Sequence, residues 1–130
     1  FKMEEQEKLE KIVEKVWGRE LWIANNNKYC GKILNLNKGF RCSIHYHKNK
    51  HESFYILEGK VILEFENKSK LMNVGDVHVI EPRIKHRFTP LVNSKIIEFS
   101  THHDDSDTYR DTESEKIDLD KLKFGLERRF

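Results

Sequence analysis

Apolar side chains alternate with polar ones in short runs along most of this chain, and that period of two constrains the fold more than any other feature. Residues 42–46 alternate in this way, and in 61–65 apolar residues occupy every second position although Ile62 between them is also apolar. Turn-forming pairs such as Glu58-Gly59 and Gly75-Asp76 separate the runs. Seven or eight strands at intervals of about 8–12 residues, with no helix between them, are typical of antiparallel sandwiches and barrels. The pattern predicts an all-β fold and excludes a parallel α/β fold.

The two ends of the chain follow a different pattern. Leu9, Ile12, Val13 and Val16 are spaced by three and four residues among Glu and Lys, which predicts an amphipathic helix over about residues 4–15 that ends at Gly18. Beyond Thr101 the sequence becomes acidic and polar. A weakly amphipathic stretch follows at 117–124, and we expect it to be helical or extended and to lie against the body or a partner.

Size and charge narrow the class of protein. With 130 residues, of which 37% are hydrophobic, the chain fits a single domain over 1–130. The 24 basic and 22 acidic residues leave a formal net charge of +2, too little for a dedicated nucleic-acid binder. No apolar run approaches the ~20 residues that span a bilayer, and 2–15 is too charged for a signal peptide. We expect a soluble cytoplasmic protein with no membrane partner, in which Cys30 and Cys42 are reduced core residues.

Three of the seven histidines and one carboxylate have the spacing of a metal site. His45 and His47 project from the same face of a strand, about 7 Å apart along the backbone. Glu52 can return to that face from the next strand, and His86 can join it if a barrel brings the strands together. Three imidazoles and a carboxylate suit Mn, Fe, Co, Ni or Zn, whereas Ca and Mg prefer oxygen ligands.

Residues 39–59 have the form G-x5-H-x-H-x4-E-x6-G without a gap, and this segment resembles the first motif of the cupin superfamily. The second cupin motif, G-x5-P-x-G-x2-H-x3-N, is found in weakened form. Gly75 and His86 are in place, but Glu81, Arg83 and Pro90 replace the proline, the glycine and the asparagine. Loss of that glycine affects a turn residue expected at positive φ.

The resemblance implies a double-stranded β-barrel, or jelly roll, with a core over about 29–100 and one divalent transition metal held by His45, His47, Glu52 and His86. Strand parity supports the same barrel, with Arg41, Ser43, His45 and His47 facing inward. Cys42, Ile44 and Tyr46 would then pack on the outer side. An apolar outer face needs a cover, which in single-domain cupins is usually a second subunit, so the resemblance implies a homodimer.

Two further segments resemble cupins related to mannose-6-phosphate isomerases and D-lyxose isomerases, namely 17–22 with 29–34, and 98–110. This resemblance implies a sugar or sugar-phosphate isomerase in which a base moves a proton between neighbouring carbons. Glu98 is the candidate base, because burial among apolar neighbours raises a carboxyl pKa. The alternative is that Glu98 faces outward on its strand.

The possible contacts to a substrate anion are basic residues. Lys85, Arg110 and the inward-facing Arg41 are the candidates, with Lys32 beside them, although a solvated surface role is the commoner one for each. Two other functions stay open. An Fe(II)-dependent oxygenase could use Phe40, Phe54, Phe65 and Phe88 as an apolar pocket, unless these are barrel core, and a noncatalytic sugar-binding protein would use the same cleft.

The remaining histidines carry no predicted metal. His51 lies on the opposite parity from Glu52 and is expected at the rim, and His78 is expected to be structural. His102, His103, Asp104 and Asp105 are interpreted as a polar loop that caps or closes the pocket.

Overall fold

Short strands make up most of the described part of the chain, which is residues 2–122 of the computed structural model. In chain order they are β1 (Lys11–Lys15), β2 (Gly18–Asn25), β3 (Cys30–Leu36), β4 (Phe40–Arg41), β5 (His45–His47), β6 (Glu52–Glu58), β7 (Lys60–Phe65), β8 (Lys68–Asn73), β9 (Val77–Ile80), β10 (His86–Pro90), β11 (Ser94–Ser100), β12 (Thr108–Arg110) and β13 (Glu115–Lys116). Two short 3₁₀ segments, Asp105–Asp107 and Leu119–Lys121, supply the helical turns. The all-β prediction is confirmed. Among these residues no helix is both long and apolar enough to cross a membrane.

Two antiparallel sheets form the body. The first has six strands in the order β1-β2-β3-β11-β6-β9, and the second has five in the order β12-β5-β10-β7-β8. A third, two-stranded ladder pairs β13 with β4. Strands far apart in the chain become neighbours, such as β3 with β11 and β5 with β10, because from β5 to β12 the chain changes sheet at every step except β7 to β8. This is the jelly-roll arrangement that the motif resemblance implied, and it agrees with the sandwich or barrel that the period-two pattern predicted.

The apolar core lies between the two sheets and draws on both. Ile56 and Ile96 come from the six-stranded sheet, Val61, Leu63 and Met72 from the five-stranded one, and all five are fully buried. Each such side chain contributes about 1.5–3 kcal/mol relative to an exposed position. This shared core fixes the distance between the sheets and so holds the side chains at one end of the barrel in place.

The predicted N-terminal helix over 4–15 is wrong. Lys11–Lys15 is instead the edge strand β1, which pairs with β2 so that Ile12 lies opposite Leu21, and residues 2–10 form neither helix nor strand. Gly18 does not end a helix but begins β2. A Cβ atom there would lie 1.8 Å from the carbonyl oxygen of Asn35, so only glycine lets β2 approach β3 this closely. Pairing along a sheet edge outweighs the helical spacing of a few apolar residues.

The strand parity predicted for 41–47 is broken in the middle. Strand β4 ends at Arg41 and β5 begins at His45, and the three residues between them are not in a strand. Cys42 therefore lies in the core rather than on the outer side, and its Sγ accepts a hydrogen bond from the Phe88 amide at 3.2 Å. Both cysteines are buried free thiols.

The polar segment after β11 returns to the second sheet, where β12 pairs with β5 as an edge strand. The stretch predicted to be helical or extended begins here as extended chain, where the Ile117 amide donates to the Gly39 carbonyl at 2.8 Å, and continues into the 3₁₀ turn Leu119–Lys121. Residues 123–130 lie outside the described part of the chain, so the prediction for 123–124 is not tested.

Candidate metal centre

Three imidazoles converge at one end of the barrel because β5 and β10 are neighbours. His45 and His47 lie on β5, and His86, the first residue of β10, is paired with His45 in register. One nitrogen from each of the three rings lies within 4.8 Å of the others. The structure thus brings together the three histidines that the sequence analysis selected, and their arrangement could hold a metal ion. We call His45, His47 and His86 the imidazole wall.

Each of these rings is oriented by a backbone carbonyl. Nδ1 lies 2.9 Å from the Ser43 oxygen in His45, 3.1 Å from the Asp107 oxygen in His47 and 2.9 Å from the Ile84 oxygen in His86. A carbonyl only accepts hydrogen bonds, so each Nδ1 carries the proton and donates it. The Nε2 atoms are left with free lone pairs, which is the form of histidine that binds metals.

Burial keeps these rings neutral. Desolvation and the neighbouring His86 ring lower the pKa of His45 well below its ordinary value. Burial and the Lys50 ammonium lower the pKa of His47 to about 4, and burial lowers that of His86. At neutral pH all three rings can therefore offer lone pairs without first losing a proton.

Glu52, the fourth predicted ligand, is not part of the three-histidine cluster but lies beside two of its rings. It is 2% exposed at the start of β6, with Oε1 3.5 Å from His47 Nε2 and Oε2 3.4 Å from His86 Nε2. Glu52 Oε2 and His86 Nε2 are buried and have no hydrogen-bond partner. Burial and the nearby Glu98 carboxylate raise the pKa of Glu52. An orphaned oxygen beside an orphaned nitrogen fits a divalent cation, which would satisfy both atoms.

The opposite side of the pocket is made of charged groups that pair with one another. Glu20, Lys32, Lys50, Glu98 and His103 form this side, which we call the ionic wall. At its centre Lys50 Nζ lies 2.6 Å from Glu98 Oε2, 3.0 Å from Glu52 Oε1 and 3.0 Å from His103 Nδ1. Glu52 therefore contacts both walls.

Glu98 faces into the pocket, but its pKa is not raised as predicted. Burial alone would raise it, and the ammonium groups of Lys50 and Lys32 outweigh burial, so the pKa of Glu98 is lowered to about 2. Its Oε2 also accepts a hydrogen bond from the Ser100 hydroxyl at 3.1 Å. The candidate base is thus a firmly ionised carboxylate. The prediction of a raised pKa considered burial but not the charges of the two lysines that face Glu98.

Lys32 also differs from its prediction, because it is buried rather than solvated. Its side chain is 1% exposed, with Nζ 3.3 Å from Glu20 Oε1 and 4.0 Å above the ring of Trp22. The Trp22 indole donates to the same Glu20 oxygen at 2.9 Å. A buried ammonium is stable here because a carboxylate and an aromatic face surround it.

The three predicted anion contacts do not lie together. Arg110 lines the mouth of the pocket, opposite His45 in register. Arg41 does not face inward as predicted, since its Nε donates to Glu115 at 2.7 Å on the short β4–β13 ladder. Lys85 is exposed and pairs with Asp111 at 2.7 Å. Arg41 faces away from the pocket because strand parity is broken after it.

The other predicted residues have structural surroundings. His51 is exposed, His78 packs on the Phe65 ring, and the His102 ring donates to the Asn26 carbonyl at 2.8 Å. His103 enters the pocket wall, where its Nε2 donates to Asp105 at 2.7 Å. Phe54 and Phe88 belong to the core and also form the floor of the pocket. The other two predicted phenylalanines, Phe40 and Phe65, pack against the edge of the core.

Asp107 is a positioning residue that the sequence analysis did not find. Its carboxylate accepts the backbone N–H groups of Lys48 at 3.0 Å, Asn49 at 3.1 Å and Lys50 at 3.2 Å. Its own carbonyl orients His47, so one residue fixes parts of both walls. No local pattern identifies it, because it lies about 60 positions from the loop that it holds.

Comparison with known proteins agrees with this architecture. Residues 32–93 match the family model described as a cupin domain. KdgF from Halomonas sp. is similar to this chain at 18% identity and a TM-score of 0.63, over 68% of this chain and 81% of that chain. An RmlC-like cupin from Shewanella frigidimarina is similar at 16% identity and a TM-score of 0.67, over 74% of this chain and 86% of that chain. Oxalate decarboxylase from Bacillus subtilis is similar at 13% identity and a TM-score of 0.68, over 77% of this chain and 29% of that chain. At these identities the likeness shows the fold alone. No curated protein sequence matches this chain significantly.

Proposed function

We propose that this chain is a metal-dependent enzyme acting on a sugar or sugar phosphate by proton transfer, as an aldose–ketose isomerase does, and that the segment matching the cupin domain model carries its site. One observation carries the proposal. Three imidazole nitrogens cluster beside an unpartnered carboxylate oxygen, and His45, His47 and Glu52 of this group line a pocket whose other wall is charged and rich in hydrogen-bonding groups. A polyhydroxylated substrate needs such a polar wall, whereas an apolar substrate does not.

His45, His47, Glu52 and His86 are the residues that would hold the ion, and their donor atoms suit Mn, Fe, Co, Ni or Zn. Such an ion, when bound, polarises a carbonyl group and acidifies the neighbouring C–H bond. The backbone carbonyls behind the three rings keep the ligand nitrogens pointing into the pocket.

The chain's own residues supply the rest of the site. Arg110, at the mouth, binds an anionic end of the substrate such as a phosphate. Glu98, an ionised carboxylate in the pocket wall, is the candidate to carry the proton between the two neighbouring carbons. The floor formed by Phe54 and Phe88 excludes water from below.

The experiment combines metal analysis with an NMR assay. The purified protein, its EDTA-treated form and that form reloaded with single divalent ions are incubated with aldoses, ketoses and their 6-phosphates in deuterated water. We expect interconversion with deuterium incorporated at one carbon, loss of activity with EDTA and recovery with one ion. Oxygen uptake with Fe(II) would instead identify an oxygenase, and sugar binding that survives EDTA would identify a noncatalytic protein. Either result contradicts the proposal.

We also propose that a second copy of the chain covers the outer face of the six-stranded sheet. One apolar residue per strand lies there in a single line across all six strands: Ile12, Leu21, Ile33, Ile97, Tyr55 and Val77. Val77 is 56% exposed at one end of this line and Ile12 is 52% exposed at the other. A continuous uncharged row that repeats on an identical copy suits a two-fold contact.

Sedimentation equilibrium tests the dimer. Phe99, 58% exposed on the same face, is replaced in Phe99→Glu, and we expect a dimer to become a monomer of unchanged fold. Leu71→Glu is the matched control, because Leu71 is exposed on the other sheet and its replacement should leave the dimer intact. A monomeric wild-type protein would overturn this assembly.

A further inference from the structure

Lys50 is surrounded by acceptors in a way that excludes it from substrate binding. Its side chain is 2% exposed, and an ammonium group carries three N–H donors. Three acceptor atoms, one each from Glu52, Glu98 and His103, lie within 3.0 Å of Nζ. No donor is left over for a ligand, so the group must act on the residues that already surround it.

We propose that Lys50 is the positioning residue for Glu52, holding Oε1 so that Oε2 points at the imidazole wall. This inference rests on the proposed metal site and deepens it. Lys50 Nζ contacts Oε1 at 3.0 Å, while Oε2 has no hydrogen-bond partner and lies 3.4 Å from His86 Nε2. One carboxylate oxygen is thus fixed by the ionic wall, and the other is presented to the cation.

Lys50 is itself held on both sides. Asp107 accepts its backbone N–H at 3.2 Å, and Glu98 pairs with its ammonium at 2.6 Å. Both partners belong to segments after β10, whereas Glu52 begins β6. Contacts from the later part of the chain therefore fix Lys50, and Lys50 in turn contacts Glu52.

Positioning and simple electrostatics predict opposite effects of removing this ammonium. A positive charge near a cation site repels the cation, so its loss alone would tighten metal binding. If Lys50 positions Glu52, its loss lets the carboxylate turn away and weakens binding. Groups that orient metal ligands are typically worth about 10–100-fold in affinity. Whether metal affinity falls or rises when Lys50 is replaced therefore distinguishes positioning from electrostatic repulsion.

The test measures the affinity of the metal-free full chain for Zn(II) and Co(II), by competition with a chromophoric chelator, and records the Co(II) visible spectrum. Lys50→Met is compared with the double variant Lys50→Met, Glu98→Gln, which restores charge balance if the single variant folds poorly. Lys32→Met is the matched control, because Lys32 is an equally buried ammonium of the same wall that pairs with Glu20 and is not paired with Glu52.

We expect affinity to fall about 10–100-fold in both Lys50 variants, with an altered Co(II) spectrum, and to stay within about 3-fold of wild type in Lys32→Met. Unchanged or tighter binding in the Lys50 variants would overturn the positioning role while leaving the metal site intact. An equal loss in Lys32→Met would also overturn it, since the cause would then be general to the wall. A wild-type protein that binds neither ion would instead refute the proposed function itself.

Discussion

The two walls of the pocket are built by opposite means. On the imidazole wall each ring is neutral and is held by a backbone carbonyl, which leaves its lone pair without a protein partner. On the ionic wall the side chains are charged and satisfy one another, as in the contacts of Lys50 with Glu98 and of Lys32 with Glu20. The first arrangement requires something from outside the chain, and the second does not. In the proposed function this difference assigns the cation to the imidazole wall and the substrate to the space between the two walls.

The largest effect should come from removing a ring of the imidazole wall. In His86→Ala we expect metal affinity to fall by more than about 100-fold. Loss of a group that only orients a ligand typically costs up to that much, and here a ligand atom itself is lost. The measurement is titration of the metal-free protein with Zn(II), with circular dichroism to show that the strands persist.

The matched control for that change is His78→Ala. His78 also lies on a strand, but its ring packs on Phe65 and is not part of the cluster. Its loss should leave the metal affinity within about 3-fold of wild type. Equal losses in the two variants would show that the comparison between the walls rests on fold stability rather than on ligation.

A second prediction concerns Asp107, where the two walls are joined. In Asp107→Ala the three N–H groups of 48–50 lose their acceptor, and we expect the free energy of unfolding to fall by about 3 kcal/mol, because an unsatisfied buried donor costs about 1–3 kcal/mol and water compensates for part of the loss. Urea denaturation of the metal-free protein measures it. Asp105→Ala, a neighbouring exposed change, should cost less than about 1 kcal/mol. A loss below that level in Asp107→Ala would mean that the loop does not depend on this carboxylate.

The imidazole wall could be predicted from the sequence. The alternation of a strand places His45 and His47 on one side, and the resemblance to the second cupin motif adds His86 from a distant strand. The ionic wall could not be predicted, because its pairs join residues far apart in the chain, such as Lys50 and Glu98, and because lysine is ordinarily exposed. Glu98 was placed in the pocket, but its pKa depends on neighbours that only the fold reveals.

The fold, like the site, could be predicted where a short sequence pattern determines the structure, and not where pairing with a distant strand determines it. Period-two runs identified most strands of both sheets, but not β1, β8 or β12. The segment 4–15 was assigned wrongly because four apolar residues fit a helix as well as an edge strand, and pairing with β2 decides between them. Arg41 was assigned to the pocket because parity was extended across 42–44, where the chain leaves strand geometry.

The smallest predicted effect is a gain, and it comes from the turn that supports the imidazole wall. Arg83 stands where the cupin motif has glycine, and its φ of 73° keeps the left-handed conformation that glycine adopts freely. That conformation costs a side-chain-bearing residue about 1–3 kcal/mol, against about 0.5–1 kcal/mol for the extra freedom of an unfolded glycine. Arg83→Gly should therefore raise the free energy of unfolding by about 1 kcal/mol, measured by urea denaturation. The Arg83 amide donates to the His47 carbonyl at 2.6 Å, and glycine keeps that bond, so the metal affinity should not change. A less stable variant would mean that the exposed arginine side chain contributes more than its backbone strain costs.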